Sequence, residues 1–382
     1  MPWLPHDDRL LRHALELAQQ ASAFASPNPT VGCVLTTPQG EVLGEGAHWY
    51  DRRDHAEIAA LKQAAEHGHS VAGATAYVTL EPCTVSGRTG PCAEALVQAR
   101  IARCVIATAD PNPLVHGKGI ELLQRASIEV EVAEPASEIG TRARRLNDAF
   151  AFSIVRDRPF VTLKSALSVD GRLAPAQHEP GKPFWLTGEA ARADVQRLRH
   201  EHDALLTGIG TVLADDPSLN DRTGLPRRRP LLRVVLDSSL RLPLRSQLVL
   251  SAQNDLLVLC SDDADRQRIR LLEQAGAEVL CLPSTEPKLV LQELHRRKLL
   301  SVLLEAGSAM NGAFLQEKLV DRVVLYFAEL ELGKDAVPFA RNGTSPFDLQ
   351  FRLSELKRST FPRGSSEDIR LAGYLHDPWA GL

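Results

Sequence analysis

The sequence predicts an α/β protein built from two domains. Three observations lead there. Strand-like apolar runs alternate with helical stretches along the whole chain, the 382 residues exceed what one ordinary domain needs, and a polar break at Arg156-Asp157-Arg158-Pro159 separates two such series. The boundary is expected at about residue 150, giving domains 1–150 and 151–382.

In the first series, Asp7 or Asp8 can cap a helix that runs to about Gln20. Two β-rich runs follow, 30–36 and 41–49, joined by a turn at Pro38-Gln39-Gly40. A helix over 55–67 stops at Gly68, and 74–80 and 102–107 read as buried strands. Between them lie a Gly/Pro-rich loop and a short helix starting near Pro91, where proline suits the first turn. The stretch 133–150 reads as helical. In the second series, 160–163, 231–236, 256–259, 278–282 and 302–304 read as strands. Helices are expected near 264–275, 286–297 and after Asn311. That order predicts a mostly parallel, doubly wound sheet, closed by long strands at 323–328 and 369–374.

Composition narrows the function classes. Net charge is −4, from 44 basic and 48 acidic residues, so nothing in the totals points to nucleic acid or an anionic membrane. The basic run Arg227-Arg228-Arg229 sits between prolines and reads as a solvated loop. No apolar run approaches the ~20 residues that span a bilayer, and the opening Met1-Pro2-Trp3 with Asp7 and Asp8 does not read as a signal peptide. The expected location is the cytoplasm. Six cysteines are too sparse for a disulfide scaffold, so paired ones suggest metal or catalysis.

The chemistry-bearing pattern of the first domain is His55-Ala56-Glu57, then Glu81-Pro82-Cys83, then Cys92. An H-x-E triplet at a helix start, followed by P-C and a second cysteine, is the zinc-deaminase pattern. One imidazole and two thiolates would hold Zn²⁺ and leave a fourth position for a water whose pKa falls towards ~7. Glu57, not a ligand, would shuttle the proton. Bland alternatives stand beside this. Asp54-x-x-Glu57 also reads as a capping box, and Cys83 and Cys92 as inert core thiols or part of a structural zinc site. Against the last, only three obvious ligands are present, where structural sites close with four. His48, His67, His69 and His116 read as surface or helix-end histidines.

The order Ser26-Pro27-Asn28-Pro29-Thr30-Val31-Gly32-Cys33, His55-Ala56-Glu57, Thr79-Leu80-Glu81-Pro82-Cys83, Gly87-Arg88-Thr89-Gly90-Pro91-Cys92 and Asp110-Pro111-Asn112-Pro113 resembles the deaminase half of the bifunctional RibD-type enzymes. The resemblance implies a cytidine-deaminase-like α/β/α sandwich. It also implies that Asn28, Arg88, Asp110 and Asn112 contact a pyrimidine and its phosphoribosyl arm. An amide suits a Watson–Crick-like edge and a guanidinium suits phosphate. Read without the resemblance, Asn-Pro and Asp-Pro pairs only initiate turns and a loop arginine is solvated. One departure is Val85, where the family usually carries a histidine.

The second domain has no G-x-G-x-x-G fingerprint. Val302–Gly312 runs from a strand through small residues into a helix, whose first amides can hold a phosphate; Thr207–Pro217 is a polar turn after a strand-like run. Both also read as plain strand-to-helix connections. Leu163–Gly171, Trp185-Leu186-Thr187, Leu198-Arg199, Thr211–Arg222, Leu236-Asp237-Ser238 and Glu305-Ala306-Gly307 resemble the reductase half of the same family, similar in fold to dihydrofolate reductase. By position, this implies NADPH contacts from Ala166, Trp185, Thr211, Asp215, Ser238 and the segment Gly307, Ser308, Ala309, Met310, Asn311, Gly312 and Ala313. Substrate contacts are implied from Pro183, Arg199, Leu219, Arg222 and Glu305, with Pro183 acting through its backbone and the arginines suited to phosphate.

The implied reactions are consecutive. The first is hydrolytic deamination of 2,5-diamino-6-(5-phosphoribosylamino)pyrimidin-4-one, and the second is NADPH reduction of the ribosyl group of the resulting aminouracil to ribityl. Glu305 and Asp215 are candidate proton donors for the second. Expected partners are these small molecules and further copies of the chain (a dimer or tetramer), with neither nucleic acid nor membrane. The rivals are a nucleic-acid deaminase with an appended binding domain and a non-catalytic zinc-stabilised binding protein.

Overall fold

Alternating apolar residues in the first 156 positions build one sheet with a helix layer on each face. Its strands are β1 (Gly32–Thr36), β2 (Val42–Ala47), β3 (Thr75–Val78), β4 (Arg103–Ile106) and β5 (Glu129–Val132), in the order β2-β1-β3-β4-β5. β1 is antiparallel to β2 and β3, whereas β3, β4 and β5 run parallel. The period-2 alternation assigns the faces. Cys33, Leu35, Ala76, Val78, Cys104 and Ile106 pack against the helices Ala56–Glu66, Cys92–Gln98 and Lys118–Arg125. Val34, Tyr77 and Val105 pack against Asp7–Gln20 and Glu138–Leu146. Each fully buried leucine or valine contributes roughly 1.5–3 kcal/mol. On the second face Asp7 and Arg103 form a buried pair at 2.8 Å, to which the Tyr77 hydroxyl also donates. The helix that carries Glu57 lies unusually close to β2, since a Cβ on Gly46 would stand 2.6 Å from the Ala56 carbonyl oxygen. Glycine is required there.

The structure, a computed structural model, describes residues 3–85, 90–177, 179, 181–182 and 184–381. Its chain forms two compact units, Met1–Arg156 with Trp379–Leu382, and Asp157–Pro378. The final segment thus belongs to the first unit. Trp379 is 9% exposed, its indole N–H donates to Asp148 at 3.1 Å, and the Arg144 guanidinium lies 5.0 Å from its ring centre.

The second unit carries β6 (Phe160–Ser168), β7 (Arg172–Ala174), β8 (Ala204–Gly208), β9 (Leu232–Leu236), β10 (Leu256–Ser261), β11 (Glu278–Leu282), β12 (Ser301–Leu304), β13 (Arg322–Ala328), β14 (Val337–Pro338), β15 (Ser354–Arg363) and β16 (Ser366–Tyr374). Nine of these form one sheet in the order β11-β10-β9-β8-β12-β6-β13-β16-β15, while β7 and β14 pair separately. Pairing is parallel from β11 through β13 and antiparallel at β16 and β15. Both faces are covered, so the parallel strands read as continuous apolar runs.

Several elements differ from the sequence reading. The stretch 133–150 is not one helix; it breaks at Asn147, which buries its amide to accept from the Thr30 N–H at 2.7 Å and donate to the Thr30 carbonyl at 3.0 Å. The helix expected after Asn311 begins at Ser308, because Gly307 already adopts the extended N-cap conformation. Residues 207–217 are not a plain turn, for β8 ends at Gly208 and a helix, Ile209–Asp215, starts at once. β5 and β15 escaped notice because each is a polar edge strand; β15 is exposed along most of its length.

Candidate active sites

The helix Ala56–Glu66 sets the first site. His55 is its N-cap, in extended conformation, and Glu57 lies in its first turn. No side chain caps this end, so the capping-box reading of Asp54 and Glu57 is overturned. Glu57 is only 3% exposed. Burial, and then the neighbouring Cys83 sulfur, push its carboxyl up to about 7, in the range of a group that takes and returns a proton at neutral pH. Cys83 follows β3, and Cys92 opens the helix Cys92–Gln98.

His55 Nδ1 and the sulfurs of Cys83 and Cys92 all lie within 4.8 Å of one another. The Nδ1–Sγ distances are 3.2 Å to Cys92 and 3.5 Å to Cys83. A tetrahedral zinc with Zn–N near 2.0 Å and Zn–S near 2.3 Å needs N···S edges of about 3.6 Å. The donor set fits. The Cys92 thiol, and after it the His55 ring, hold the Cys83 thiol well below its ordinary range despite burial, while Cys92 is pushed up by the same contact. A cation arriving here meets one ready thiolate.

Around these groups the loop residues are tightly held. Asn28 Nδ2 lies 3.0 Å from His48 Nε2, and His48 Nδ1 lies 2.8 Å from the Asp54 carbonyl oxygen. The carbonyl can only accept, so His48 carries its proton on Nδ1 and accepts from Asn28. His48 is 3% exposed and meets the His55 ring edge-on at 5.2 Å. Its reading as a surface histidine is therefore corrected. Asp110 and Asn112 both make side-chain turns, accepting from the Asn112 and Leu114 amides at 2.7 and 3.0 Å. Burial raises the Asp110 carboxyl to about 6, against the Asn112 hydrogen bond. Val85 is exposed, whereas Arg88 lies outside the described residues.

The second site forms at the C-terminal ends of the parallel strands, where doubly wound sheets take ligands. β8 leads into Ile209–Asp215, and β12 leads through Glu305-Ala306-Gly307 into Ser308–Gln316. The two connections touch. A Cβ on Gly208 would stand 2.6 Å from Met310 Sδ, and one on Gly307 would make an ordinary 3.7 Å contact with Thr211 Oγ1. Ser308 Oγ, at the helix start, and Thr207 Oγ1 are buried without a hydrogen-bond partner in the protein, which suits a ligand rich in acceptors. Ser238 is exposed beyond the end of β9, and Asp215 ends its helix. Ala166 shares a face of β6 with Lys164, and these are the two positions of that strand that are not fully buried. Trp185 is exposed, with the Arg192 guanidinium 5.0 Å from its ring centre. Asn311 and Gly312 turn the other way. Asn311 donates to the Phe339 carbonyl at 3.0 Å, and a Cβ on Gly312 would crowd the Arg341–Asn342 backbone. Pro183 lies outside the described residues.

Arg199 and Glu305, both read as substrate contacts, are each other's partners. The fork of Arg199 meets the carboxylate at 2.7 and 3.0 Å, and its remaining nitrogen donates to the Asn220 carbonyl at 3.0 Å. Lys164 Nζ lies 3.5 Å from the same carboxylate. Burial favours the neutral acid, but the charges of Arg199 and Lys164 outweigh it and hold Glu305 down at about 2. A group ionised so firmly has no proton to give at neutral pH and acts only as a hydrogen-bond acceptor and counter-charge. Leu219 has φ +51°, a left-handed conformation costly for a branched side chain. It is held between Ser218 and Asn220, whose carbonyls accept from Arg233 and Arg199. Arg222 is exposed, and its backbone N–H donates to the Gln196 side chain at 2.9 Å.

Comparison with known proteins settles the kinship. Residues 159–360 match the RibD C-terminal domain, and residues 4–108 match the cytidine and deoxycytidylate deaminase zinc-binding region. The riboflavin biosynthesis protein RibD of Aquifex aeolicus is 37% identical over 328 residues, 86% of this chain and 88% of that protein. The chain belongs to the RibD family. Its relative in Escherichia coli K12 is 37% identical over 346 residues, covering 86% and 89% of the two chains. Among solved structures, Acinetobacter baumannii RibD superposes with TM-score 0.78 at 38% identity, over 97% of this chain and 98% of that one. A Thermotoga maritima diaminohydroxyphosphoribosylaminopyrimidine deaminase/5-amino-6-(5-phosphoribosylamino)uracil reductase gives 0.80 at 29% identity, over 96% and 98%.

As a member of the RibD family, the chain is a bifunctional deaminase and reductase of riboflavin biosynthesis, with zinc serving the first domain and NADPH the second. The expected cytidine-deaminase-like sandwich and mostly parallel reductase sheet are both present. It acts on small molecules, and no helix among the described residues is long and apolar enough to cross a membrane. Sequence reasoning missed two side chains of these sites. His48 had no spacing signal to mark it, and Lys164 was named only within the family-like segment Leu163–Gly171, with no role.

Proposed function

We propose that this chain deaminates 2,5-diamino-6-(5-phosphoribosylamino)pyrimidin-4-one and then reduces the ribosyl group of the product to ribityl. The observation that carries the first half is the fit of His55, Cys83 and Cys92 to a three-ligand zinc site beside buried Glu57. Zinc there supplies a water acidic enough to attack at neutral pH. Glu57 would carry the water's first proton to the ring nitrogen and then the second, from the added hydroxyl, to the leaving amine, which departs as ammonia as the C–N bond breaks and the C=O forms. Asn28 points its amide oxygen at the pyrimidine because His48 occupies its nitrogen. Arg88, Asp110 and Asn112 complete the substrate contacts.

In the second half, NADPH supplies the hydride for the open-chain sugar carbon. Thr211, Asp215, Ser238, Gly307, Ser308, Ala309, Met310 and Ala313 would hold it, with Ala166 and Trp185 alongside. Ser308 and Thr207 offer the unpartnered buried hydroxyls that support this reading. Asn311 and Gly312 shape the helix rather than touch the cofactor. Arg222 is the phosphate partner better supported by its exposure, while Arg199, Leu219 and Glu305 form the wall behind the sugar. Pro183 contributes through its backbone. Self-association as a dimer or tetramer, in the cytoplasm, belongs to the same reading; the exposed strand β15 with Leu356 and neighbouring Phe351 supports it. So do separable domains, 1–150 and 151–382.

Incubating the chain with the diaminopyrimidine tests the whole reading. Mass analysis is expected to find one amino-to-oxo exchange without NADPH and two further hydrogens with it; an unchanged substrate sinks the proposal. The cofactor half has its own test. The protein itself leaves room for a side chain at Gly307, so Gly307→Val is expected to fold normally. Titration should show its NADPH dissociation constant raised by tenfold or more, about 1.4 kcal/mol, with the aminouracil constant little changed. An unchanged cofactor constant would place the pyrophosphate elsewhere.

A further inference from the structure

Glu81 stands two residues before a metal ligand, is 2% exposed, and has no role in the chemistry above. Its carboxylate accepts four backbone N–H groups, all from residues 110–120. One oxygen takes Asp110 at 3.2 Å and Gly117 at 3.0 Å; the other takes Gly119 at 2.9 Å and Ile120 at 3.3 Å. Three of these donors belong to the start of the helix Lys118–Arg125, whose own N-cap, Gly117, has no side chain to offer. Helix starts leave such amides unpaired, and a carboxylate satisfies them well. The fourth donor is Asp110 itself. The helix also rests directly on this segment: a Cβ on Gly119 would stand 2.1 Å from the Pro82 carbonyl oxygen. One side chain thus ties the segment carrying Cys83 to both ends of the 110–117 loop.

We propose that Glu81 is a positioning residue for deamination, fixing the Asp110–Asn112 loop against the metal-bearing segment so that the loop is preformed for substrate. The proposal rests on the reading that this loop contacts substrate. A cap alone would need only the helix amides, whereas Glu81 also holds the N–H of Asp110, whose own carboxylate in turn accepts from the Asn112 N–H. Outer groups of this kind typically control 10–100-fold in activity or metal affinity.

The test uses the full-length zinc-loaded chain. In Glu81→Gln the amide nitrogen points donors at two of the four N–H groups, so the loop loses its anchor. In Glu81→Asp the charge stays but the shorter arm cannot span both sets of donors. Both are expected to raise the KM for deamination about 10–100-fold, with kcat changed far less, zinc retained, and NADPH-dependent reduction of the aminouracil unaltered. If either variant melts earlier yet keeps the deamination KM, Glu81 is only a cap and the proposal falls. Loss of zinc in step with activity overturns it too, since Glu81 would then act through Cys83. Asp110→Asn, run in parallel, tests the underlying reading: an unchanged KM there removes the loop from the substrate whatever Glu81 does.

Discussion

Glu57→Gln is expected to lose deamination by 10²–10⁴-fold, the usual contribution of a positioned acid–base group, and to lose nothing else. Glutamine keeps the shape and the buried volume but cannot carry a proton. His55, Cys83 and Cys92 are untouched, so about one zinc per chain should remain by metal analysis. The helix end does not depend on Glu57, because its N-cap draws on no side chain. Reduction of the aminouracil by the same preparation is the internal standard. Deamination at the normal rate would show that proton transfer runs through another group.

Arg199→Ala should be the most destabilising single change in the reductase unit. It strips a bidentate partner from Glu305, which is 8% exposed, and a donor from the Asn220 carbonyl. Breaking a buried pair from one side costs about 3–5 kcal/mol, or roughly 6–20 °C in melting temperature for a unit of this size. Arg199→Lys should recover little, since a point charge cannot fill both sites of the fork. The carboxyl of Glu305, held at about 2, binds its proton more weakly folded than unfolded. It therefore contributes stability above the unfolded value of ~4.3, and that contribution disappears as pH falls towards 2. Glu305→Gln should accordingly show less loss of stability than the parent between pH 5 and 2, on the order of the interval those two values define. Melting curves for the parent and the three variants across that range decide the matter. An Arg199→Ala variant that melts with the parent would mean the pair is not closed in solution, leaving the arginine free for phosphate.

Much of this was legible from residue order. His55, Glu57, Cys83 and Cys92 were legible because an H-x-E triplet at a helix start followed by P-C and a second cysteine is a recognisable ligand pattern. The buried strands β1, β3, β4, β8, β9, β10 and β12 announce themselves as apolar runs. Side chains whose partners lie far along the chain were not legible. Glu81 meets donors 29–39 positions away, and Arg199 and Glu305 are 106 apart. Read singly, Arg199 was a phosphate partner and Glu305 a substrate contact and candidate proton donor; only the fold shows that these two neutralise one another. The exposed strand β15 gave no apolar rhythm, because an edge open to water does not need one.

Trp379 bears on how the chain is made. Its indole finishes the packing around Arg144 and Asp148, yet it is separated from that surface by Asp157–Pro378. At synthesis rates of ~5–20 residues per second, the first unit waits roughly 10–45 s for it. Throughout that interval the growing polypeptide exposes Asp148 without its indole partner while the entire second unit is still emerging. An early stop codon anywhere in the reductase would thus yield a first unit that lacks the Trp379 indole against Arg144 and Asp148.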